Sequence, residues 1–246
     1  MNQFDTTSEE YHGYYEIMGE QKSVWTVPRN SPTYFQEMLR YEKVLSQLPR
    51  TPGKVVDLGC GDGYLSYLMA RRGHSVLSVD IATSRLNKLR ENIGGLPVQI
   101  LQADIKHTGL QSGSVDAVVC SEVLEHIPGY EEVVQESYRI LKPGGLFVIT
   151  VPYKENLKTI ICPYCHRAFH PDGHLHRFDK ANLAQALEKA GFQVLKQKTF
   201  RSKLMVHLQY HLKLKYGMLL RLGDRLFSAL MPEFTWYLLV VARKPQ

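Results

Sequence analysis

The sequence has few of the features that mark secreted scaffolds, membrane proteins and disordered chains. Four cysteines in 246 residues are too few for a disulfide framework, so we expect a reducing, cytoplasmic compartment. The longest uncharged stretch, around Gly144–Tyr153, is far shorter than the ~18–20 apolar residues of a membrane span, and the polar N-terminus predicts no signal peptide. Glycine and proline are at average levels and 44% of the residues are hydrophobic, which excludes collagen-like, coiled-coil and largely disordered chains.

Length and charge indicate one globular domain with one unusual segment. The chain exceeds a typical domain of about 150 residues by too little for two full domains, so we expect a single domain with insertions. The formal net charge is +6, and six basic residues against one acidic residue fall between Arg201 and Met231. The rest of the chain is close to neutral, so any purely electrostatic partner would be recognised by this segment.

Short β-branched runs alternate with helical patterns through the middle of the chain, which is typical of parallel βαβ units. Helices are expected over residues 64–72, 83–93, 129–141 and 180–190. Seven strands are expected, at Lys54–Leu58, Ser75–Asp80, Val98–Leu101, Val115–Cys120, Gly145–Val151, Phe192–Thr199 and Thr235–Ala242. The predicted fold class is therefore α/β.

Three segments interrupt this alternation. Residues 1–50 are polar and aromatic, with a plausible amphipathic helix over 34–48, and are expected to form a helical lid on a domain spanning 51–246. Residues 152–178 form an insertion rich in cysteine and histidine, and residues 201–233 form a basic and apolar insertion. No internal repeat or low-complexity tract is present, so these segments are expected to decorate one core.

A glycine loop follows the first expected strand. The string Val55-Val56-Asp57-Leu58-Gly59-Cys60-Gly61-Asp62-Gly63 places three glycines between a strand and a helix, where residues without Cβ let the backbone turn sharply and approach a ligand. No Gly-Lys-Ser/Thr sequence closes the loop, which disfavours a P-loop, and the third glycine comes one residue too early for a dinucleotide fingerprint. The loop favours some other nucleotide-like cofactor.

Further motifs follow in order along the chain. Asp80 closes the second strand, where a carboxylate can accept both hydroxyl protons of a ribose, and Asp104 follows the third strand, placed to accept from an adenine amine. The fourth strand runs into Ser121-Glu122-Val123-Leu124-Glu125-His126-Ile127, and Leu141-Lys142-Pro143-Gly144-Gly145 precedes the fifth. Together these strings resemble the class I S-adenosylmethionine-dependent methyltransferases, in particular the small-molecule, methyltransferase type 11-like branch with the Leu-Glu-His-Ile motif.

The resemblance covers Lys54 to Phe200 and the last strand, and it implies a Rossmann-like, seven-stranded, mostly parallel sheet whose last strand is antiparallel. It implies S-adenosylmethionine as the cofactor, with the glycines against its methionine part, Asp80 on the ribose and Asp104 with Ile105 at the adenine. The full set of cofactor-binding residues it implies is Asp57, Gly59, Cys60, Gly61, Gly63, Asp80, Ile81, Asp104, Ile105, Cys120 and Ser121.

Several of these residues have a simpler structural interpretation. Asp57 could be a loop cap, Asp80 could be an acid at the start of a helix, and both Cys60 and Cys120 could be small buried apolar side chains. His126 could be a general base, since an imidazole of near-neutral pKa suits removal of a proton from a hydroxyl or amine, or it could be a structural residue at a helix start.

The insertion at 152–178 holds two of the four cysteines and four of the ten histidines. The spacing of Cys162, Cys165, His170 and His174 is similar to that of a compact zinc knuckle, with His166 and His176 as alternative ligands. Zinc would order a loop that otherwise lacks regular structure. A redox Cys-x-x-Cys pair and a metal-free loop remain as alternatives, and His174 could instead point into the active site.

The segment from Leu204 to Met231 has apolar residues at both helical and alternating spacing, so its period does not distinguish a helix from a hairpin. It could form a lid that excludes water from methyl transfer, a dimer contact or solvated face, or a basic surface resting on anionic lipid.

The predicted reaction is methyl transfer from S-adenosylmethionine to an oxygen or nitrogen of a small molecule, with His126 and His174 as candidate catalytic residues. An RNA methyltransferase is one alternative, but no aromatic-rich RNA-binding module is recognisable and no Asn/Asp-Pro-Pro-Tyr motif follows the fourth strand. A catalytically silent cofactor-binding scaffold is the other alternative.

Overall fold

A computed structural model describes residues 13–17, 23–164, 166, 168–211 and 217–246. A helical turn covers residues 13–17. The helices are α1 (Pro32–Leu45), α2 (Tyr64–Arg71), α3 (Thr83–Asn92), α4 (Tyr130–Ile140), α5 (Lys180–Lys189), α6 (Lys203–His211) and α7 (Met218–Leu230), with 3-10 turns at Leu124–His126 and Pro232–Phe234. The strands are β1 (Lys54–Leu58), β2 (Ser75–Asp80), β3 (Val98–Gln102), β4 (Val115–Ser121), β5 (Leu141–Pro152), β6 (Ile160–Ile161), β7 (Ala168–Phe169), β8 (Gln193–Ser202) and β9 (Thr235–Arg243).

Seven strands form the central sheet in the order β3-β2-β1-β4-β5-β9-β8. Strands β1 to β5 pair in parallel, and β9 runs antiparallel to both of its neighbours, β5 and β8. The strand order reverses beside β1, so a crevice opens between the loops that follow β1 and β4. The predicted seven-stranded, mostly parallel sheet with an antiparallel last strand is confirmed.

The sheet is covered on both faces. One face packs under α1 and α2, through residues such as Val44, Leu65 and Met69, and the other packs under α4 and α5, through residues such as Val133 and Leu183. Burial on both faces explains why the parallel strands are continuous apolar runs without alternation.

Local sequence signals fix several helix starts. Ser31 caps α1 by accepting a hydrogen bond from the Tyr34 backbone N–H at 3.1 Å, with Pro32 at the first helical position. Asp179 caps α5 by accepting from the backbone N–H groups of Ala181 and Asn182, and the Asn182 side chain accepts from the Asp179 backbone in return.

Two insertions contain more regular structure than expected. In residues 152–178, β6 and β7 form a short antiparallel hairpin in which Ile160 pairs with Phe169, where an irregular loop was predicted. In residues 201–233, the ambiguous pattern forms the helices α6 and α7, which pack against α1 through Leu39, Met205 and Leu220. Within the described part of the chain, no helix is long and apolar enough to cross a membrane.

Candidate active site

The carboxyl ends of the parallel strands surround two adjoining cavities. One, of about 640 Å³, is lined by residues that follow β1, β2, β3 and β4 and by the start of β9. The second, of about 540 Å³, lies around the glycine loop. Gly59 and Glu122 line both cavities, so the two spaces meet at the ends of β1 and β4. This is where an open α/β sheet binds its ligands.

The glycine loop is held by backbone contacts and by close packing. Gly59 adopts φ +70°, and a Cβ at this position would lie 2.6 Å from Val123 Cγ2, so only glycine fits. The backbone N–H groups of Gly59 and Cys60 donate to the Val79 carbonyl at 2.8 and 3.0 Å. Gly61 has a similar φ of +56° but faces open space, with its nearest neighbour at 3.5 Å.

Gly63 differs from the role that the resemblance implied. It precedes α2 with φ +75°, and a Cβ there would lie 2.2 Å from Leu89 Cδ1 on α3. It is absent from the described lining of both cavities. Gly63 therefore serves the close packing of two helices and lines neither cavity.

Asp80 links the end of β2 to the glycine loop. Its Oδ2 accepts from the Gly61 backbone N–H at 2.8 Å and its Oδ1 accepts from the Ala82 backbone N–H at 3.0 Å. The carboxylate is 6% exposed and lines the larger cavity together with Ile81, Asp104 and Ile105. The structure thus brings these four predicted residues to one wall.

Asp57 is a buried carboxyl beneath the loop. Its Oδ2 accepts from Ser66 Oγ at 2.6 Å, and Ser66 Oγ accepts from Ser78 Oγ at 2.7 Å. Burial raises the pKa of Asp57 to about 7, against the opposing effect of the Ser66 hydrogen bond. Asp57 lines the smaller cavity, together with Cys60, Gly61 and Ser121.

The two cysteines of the core take different positions. Cys60 lines the smaller cavity, whereas Cys120 is fully buried in the core and lines neither cavity. Burial raises the pKa of both thiols well above the usual value, with nearby carboxylates adding to the effect. Both thiols therefore stay protonated and unreactive.

The N-terminal segment lies over the cofactor side. Ser23 Oγ and the Val24 backbone N–H donate to Asp62 Oδ2 at 2.8 and 2.6 Å, and Trp25 Nε1 donates to the Asp62 carbonyl at 2.8 Å. Further along the cavity, Tyr14 and Tyr15 contribute to its wall. In contrast, no described residue of 201–231 lines either of these two cavities.

The far end of the larger cavity is built from histidines and carboxylates. His126 and His174 meet edge to face with ring centroids 4.6 Å apart, and His174 Nδ1 makes a short contact with a Glu155 carboxylate oxygen. His126 Nδ1 lies 3.3 Å from the Gly173 carbonyl. Burial and the neighbouring His174 lower the pKa of His126 to about 3, so His126 is neutral at physiological pH.

Glu122 lies at the junction of the two cavities with its side chain only 15% exposed. Its backbone has φ +57°, an unusual conformation for a residue with a Cβ. Burial raises the pKa of Glu122 to about 7, although Arg40, with Nη1 3.9 Å from Glu122 Oε2, opposes the rise. Arg40 also contacts Glu37, and Tyr237 completes this wall beside it.

Glu125 is the most isolated acid of the site. It is 1% exposed, and neither carboxyl oxygen has a hydrogen-bond partner among the described residues. Burial, with a further contribution from Glu122, raises the pKa of Glu125 well above its usual value. A protonated Glu125 avoids the cost of a bare buried charge.

Two groups of side chains could hold a metal ion. One consists of Glu125, His126 and His174, the other of Glu155, His170 and His174, with the ligand atoms of each group within 4.8 Å of one another. Cys162 belongs to neither group, and Cys165 lies outside the described residues. The structure therefore brings the predicted ligands His170 and His174 together, but with Glu155 in place of Cys162.

Several site residues were not identified from the sequence. Glu122 and Glu125 belong to the same motif as His126. The only feature of the sequence that indicates burial of these two carboxyl groups is the apolar residues around them. Arg40, Glu155 and Tyr237 come from three distant parts of the chain, and no local pattern marks them.

The sequence comparisons agree with this geometry. A family model described as a methyltransferase domain matches residues 33–197. The ubiquinone biosynthesis O-methyltransferase of Xanthomonas axonopodis pv. citri is 34% identical over 173 residues, which cover 66% of this chain and 72% of that protein. The enzyme of the same name from Cupriavidus pinatubonensis is 39% identical over 112 residues, 44% of each chain.

Solved structures share the fold. An S-adenosylmethionine dependent methyltransferase from Mesorhizobium loti has a TM-score of 0.60 at 19% identity, covering 82% of this chain and 96% of that one. Phosphoethanolamine N-methyltransferase 2 of Haemonchus contortus, solved with S-adenosyl-L-methionine, has a TM-score of 0.65 at 17% identity, covering 97% of this chain and 58% of that one. With the sheet order, the glycine loop and the family match in agreement, this chain belongs to the class I S-adenosylmethionine-dependent methyltransferases.

Proposed function

We propose that this enzyme transfers the methyl group of S-adenosylmethionine to a hydroxyl oxygen of a small-molecule acceptor. The observation that carries this proposal is the pairing of His174 with Glu155 at one end of a cavity whose other end contains the glycine loop and Asp80. A hydroxyl must lose its proton to become a good nucleophile, and a histidine oriented by a carboxylate is suited to accept that proton. The curated relatives named O-methyltransferases support oxygen as the acceptor atom.

The cofactor is proposed to occupy both cavities around their junction. Asp80 would accept from the ribose hydroxyls, Ile81, Asp104 and Ile105 would surround the adenine, and the loop Gly59–Gly61 would contact the methionine part. Asp57 lies beneath that part, near the expected ammonium group. Glu122 lines both cavities, so its carboxylate would face the positively charged sulfonium.

In the proposed reaction, the acceptor oxygen attacks the sulfonium methyl carbon from the side opposite the sulfur. The O–C bond forms as the C–S bond breaks, and the electron pair of that bond goes to sulfur, leaving neutral S-adenosylhomocysteine. The acceptor proton passes to His174 Nε2, while Glu155 at Nδ1 stabilises the imidazolium. His126, with its lowered pKa, is a weak base and is proposed to act as a neutral hydrogen-bonding and packing partner of His174.

The N-terminal segment is proposed to be the lid of this site. Tyr14 and Tyr15 line the cavity, and Glu16 accepts from the Ser84 backbone N–H at 3.0 Å, which holds the segment on the start of α3. Closure would exclude water, which strengthens the electrostatic contacts to the reacting atoms.

We propose a divalent metal ion such as zinc as a second role for the same cluster. Glu155, His170 and His174 supply one carboxylate and two imidazoles, a ligand set that suits zinc, and His170 uses Nδ1 to accept from the Asp172 backbone, which leaves Nε2 available. When bound, such an ion would order the insertion and would polarise an acceptor hydroxyl in place of His174 acting as the base.

Elemental analysis of the purified full chain tests the metal. Bound metal that is lost in Glu155→Gln and His170→Ala but kept in Cys162→Ser would support this ligand set. Loss in Cys162→Ser alone would favour the cysteine ligands expected from the sequence. Metal-free wild-type protein would remove the metal role and leave His174 as the base.

The methyl-transfer proposal is tested by measuring S-adenosylhomocysteine release across panels of small hydroxyl and amine compounds. Release with hydroxyl compounds, and its loss in His174→Ala with cofactor binding retained, is expected. Release with amines only, or equal release from His174→Ala, would contradict the proposal.

A further inference from the structure

Helix α7 has an unusual surface. Its inner face is buried by Leu220 and Asp224, yet its outer face carries four leucines at helical spacing that are 53–81% exposed: Leu219, Leu222, Leu226 and Leu230. Met231 and Phe234 continue this apolar surface at 44% and 58% exposure. We call these four leucines the leucine stripe. A helix on the surface of a soluble domain ordinarily presents polar residues there, so we expect a partner to cover the leucine stripe.

A basic cleft lies beside the leucine stripe. It has a volume of about 880 Å³ between α1, β8 and α7, and five cationic side chains line it: Lys43, Lys180, Lys198, Arg221 and Arg225. Among the described residues, two acids, Glu42 and Asp224, line it as well. Glu42 pairs with Arg221 at 3.5 Å, and buried Asp224 accepts from the Ser202 backbone N–H at 2.8 Å.

Most of the cations of this cleft are without an acidic partner among the described residues. Within the described part of the chain, Lys43, Lys198 and Arg225 form no ion pair within 4.0 Å. Ser228 Oγ is buried in the cleft wall and also has no hydrogen-bond partner among the described residues. A cleft of this kind favours an anion with several acceptor oxygens.

From this juxtaposition we infer that α7 docks on an anionic lipid bilayer. The leucine stripe enters the boundary between headgroups and acyl chains, and the basic cleft receives a lipid phosphate. Helices of this kind lie in the plane of the membrane surface, with the apolar face toward the acyl chains and the cations at the level of the headgroups. This binding surface is separate from the methyl-transfer site and does not depend on the reaction proposed above.

Charge favours a bilayer over a second copy of the chain. A two-fold contact through the leucine stripe would bring two copies of Arg221 and Arg225 together, in a segment with six basic residues and one acidic residue. An anionic membrane offers the opposite charge. The surface also continues toward the cavity, because Trp236 is 39% exposed, lines the cavity and stacks under Lys203 Nζ at 5.4 Å.

Vesicle co-sedimentation of the full chain tests this inference. Vesicles of phosphatidylcholine with added phosphatidylglycerol should bind the protein, and vesicles of phosphatidylcholine alone should bind it much more weakly. Lys198→Gln with Arg225→Gln should weaken binding by about fivefold per charge. Leu222→Gln with Leu226→Gln should weaken it by roughly tenfold or more.

Matched controls use Arg90→Gln and Leu195→Gln, which alter an exposed cation and a 42%-exposed leucine outside α7 and should leave vesicle binding unchanged. All variants should bind S-adenosylhomocysteine normally, because none of these residues lines the cofactor cavities, which confirms that each variant folds.

Three results would overturn the inference. The first is equal binding to both kinds of vesicle. The second is saturable binding of soluble glycerol phosphate that is unchanged in the leucine variants and is not reduced by added vesicles. This result would assign the cleft to a free phosphate compound. The third is a stable dimer of the wild-type chain that Leu222→Gln with Leu226→Gln converts to monomer, which would assign the stripe to a second copy.

Discussion

The proposed cofactor end and the proposed acceptor end of the candidate active-site cavity are built from the chain in different ways. The proposed cofactor end uses residues at the ends of consecutive parallel strands: Asp80 is the last residue of β2, and Gly59 and Asp104 follow β1 and β3 within two residues. The acceptor end joins Arg40 from α1, Glu155 and His174 from an insertion, and Tyr237 from the last strand. The first end is thus set by local strand-to-helix geometry, and the second by tertiary packing of segments that are distant in the chain.

If the two ends are separable, changing the acceptor end should abolish turnover without affecting cofactor affinity. His174→Ala should lower kcat by about 10²–10⁴-fold because the acceptor hydroxyl loses its base. The Kd for S-adenosylhomocysteine, measured by calorimetry, should be unchanged. His107→Ala, on a side chain that is 79% exposed and lies outside the cavity lining, is the matched control. A parallel loss of cofactor affinity in His174→Ala would show that the two ends are coupled.

The glycine loop offers a comparison within the cofactor end. Gly63→Ala should destabilise the fold by about 2–4 kcal/mol, since it adds left-handed strain to a clash with Leu89. Gly61→Ala has a similar backbone strain but open space, so about 1 kcal/mol is expected, with weaker cofactor binding as its main effect. Urea denaturation measures both variants. Equal destabilisation would contradict the packing role of Gly63.

Asp80→Ala should weaken S-adenosylhomocysteine binding by roughly 10- to 100-fold, because two ribose hydroxyls and the Gly61 N–H lose their acceptor. Asp80→Asn keeps one acceptor oxygen and should lose less affinity. Calorimetry at constant pH measures both. Unchanged affinity in Asp80→Ala would remove this carboxylate from the cofactor site.

The smallest expected effect concerns charge at the junction of the two ends. The folded pKa of Glu122, about 7, lies above its unfolded value, so Glu122 becomes anionic only as pH rises through neutrality. S-adenosylmethionine, whose sulfonium is positive, should therefore gain affinity relative to neutral S-adenosylhomocysteine by roughly three- to tenfold between about pH 6 and pH 8. Asp57, with a pKa also near 7, affects both ligands alike through their common ammonium group. Glu122→Gln should abolish the difference, and a difference that persists in this variant would place the titrating group elsewhere.

The same linkage predicts how pH changes the stability of the ligand-free protein. The raised pKa values of Asp57 and Glu122 mean that the folded state binds more protons than the unfolded chain, so both groups lower stability as pH rises from about 4 through 7. The lowered pKa of His126 acts in the opposite direction, since stability falls as pH drops from about 6.5 toward 3. Thermal melting of wild type and Glu122→Gln at pH values on both sides of neutrality separates these contributions. If the stability of Glu122→Gln relative to wild type does not increase at higher pH, the raised pKa of Glu122 is contradicted.

Much of the fold could be predicted from the sequence because its signals are local. Gly73, Gly94 and Gly191 punctuate the alternating runs, and the order of motifs identified the family, which the comparisons confirm. The wall formed by Asp80, Ile81, Asp104 and Ile105, which we propose holds the cofactor, could be predicted for the same reason, whereas Gly63 and Cys120 line neither cavity.

The acceptor end could be predicted only in part, because the sequence indicated His126 and His174 but not their partners. The cluster of Glu155 with His170 and His174 depends on how the insertion folds back, with the Leu175 backbone N–H donating to the Glu125 carbonyl at 2.7 Å, whereas spacing alone suggested Cys162 as a partner. The segment 201–233 was ambiguous because apolar residues also alternate over 208–216, and residues 212–216, between α6 and α7, lie outside the described residues. Arg40 lies in an unremarkable amphipathic helix, and only packing places it beside Glu122.

The most direct test of the central claim uses S-adenosylmethionine that is labelled in its methyl group. Wild-type enzyme and His174→Ala are given the same small hydroxyl acceptors, and mass spectrometry and NMR identify the atom that carries the labelled methyl group. The account predicts labelled methyl on an acceptor oxygen with wild type, and at most about a hundredth of that rate with His174→Ala, while both bind S-adenosylhomocysteine equally. Label found only on nitrogen or on RNA, or the same rate from both proteins, would contradict it.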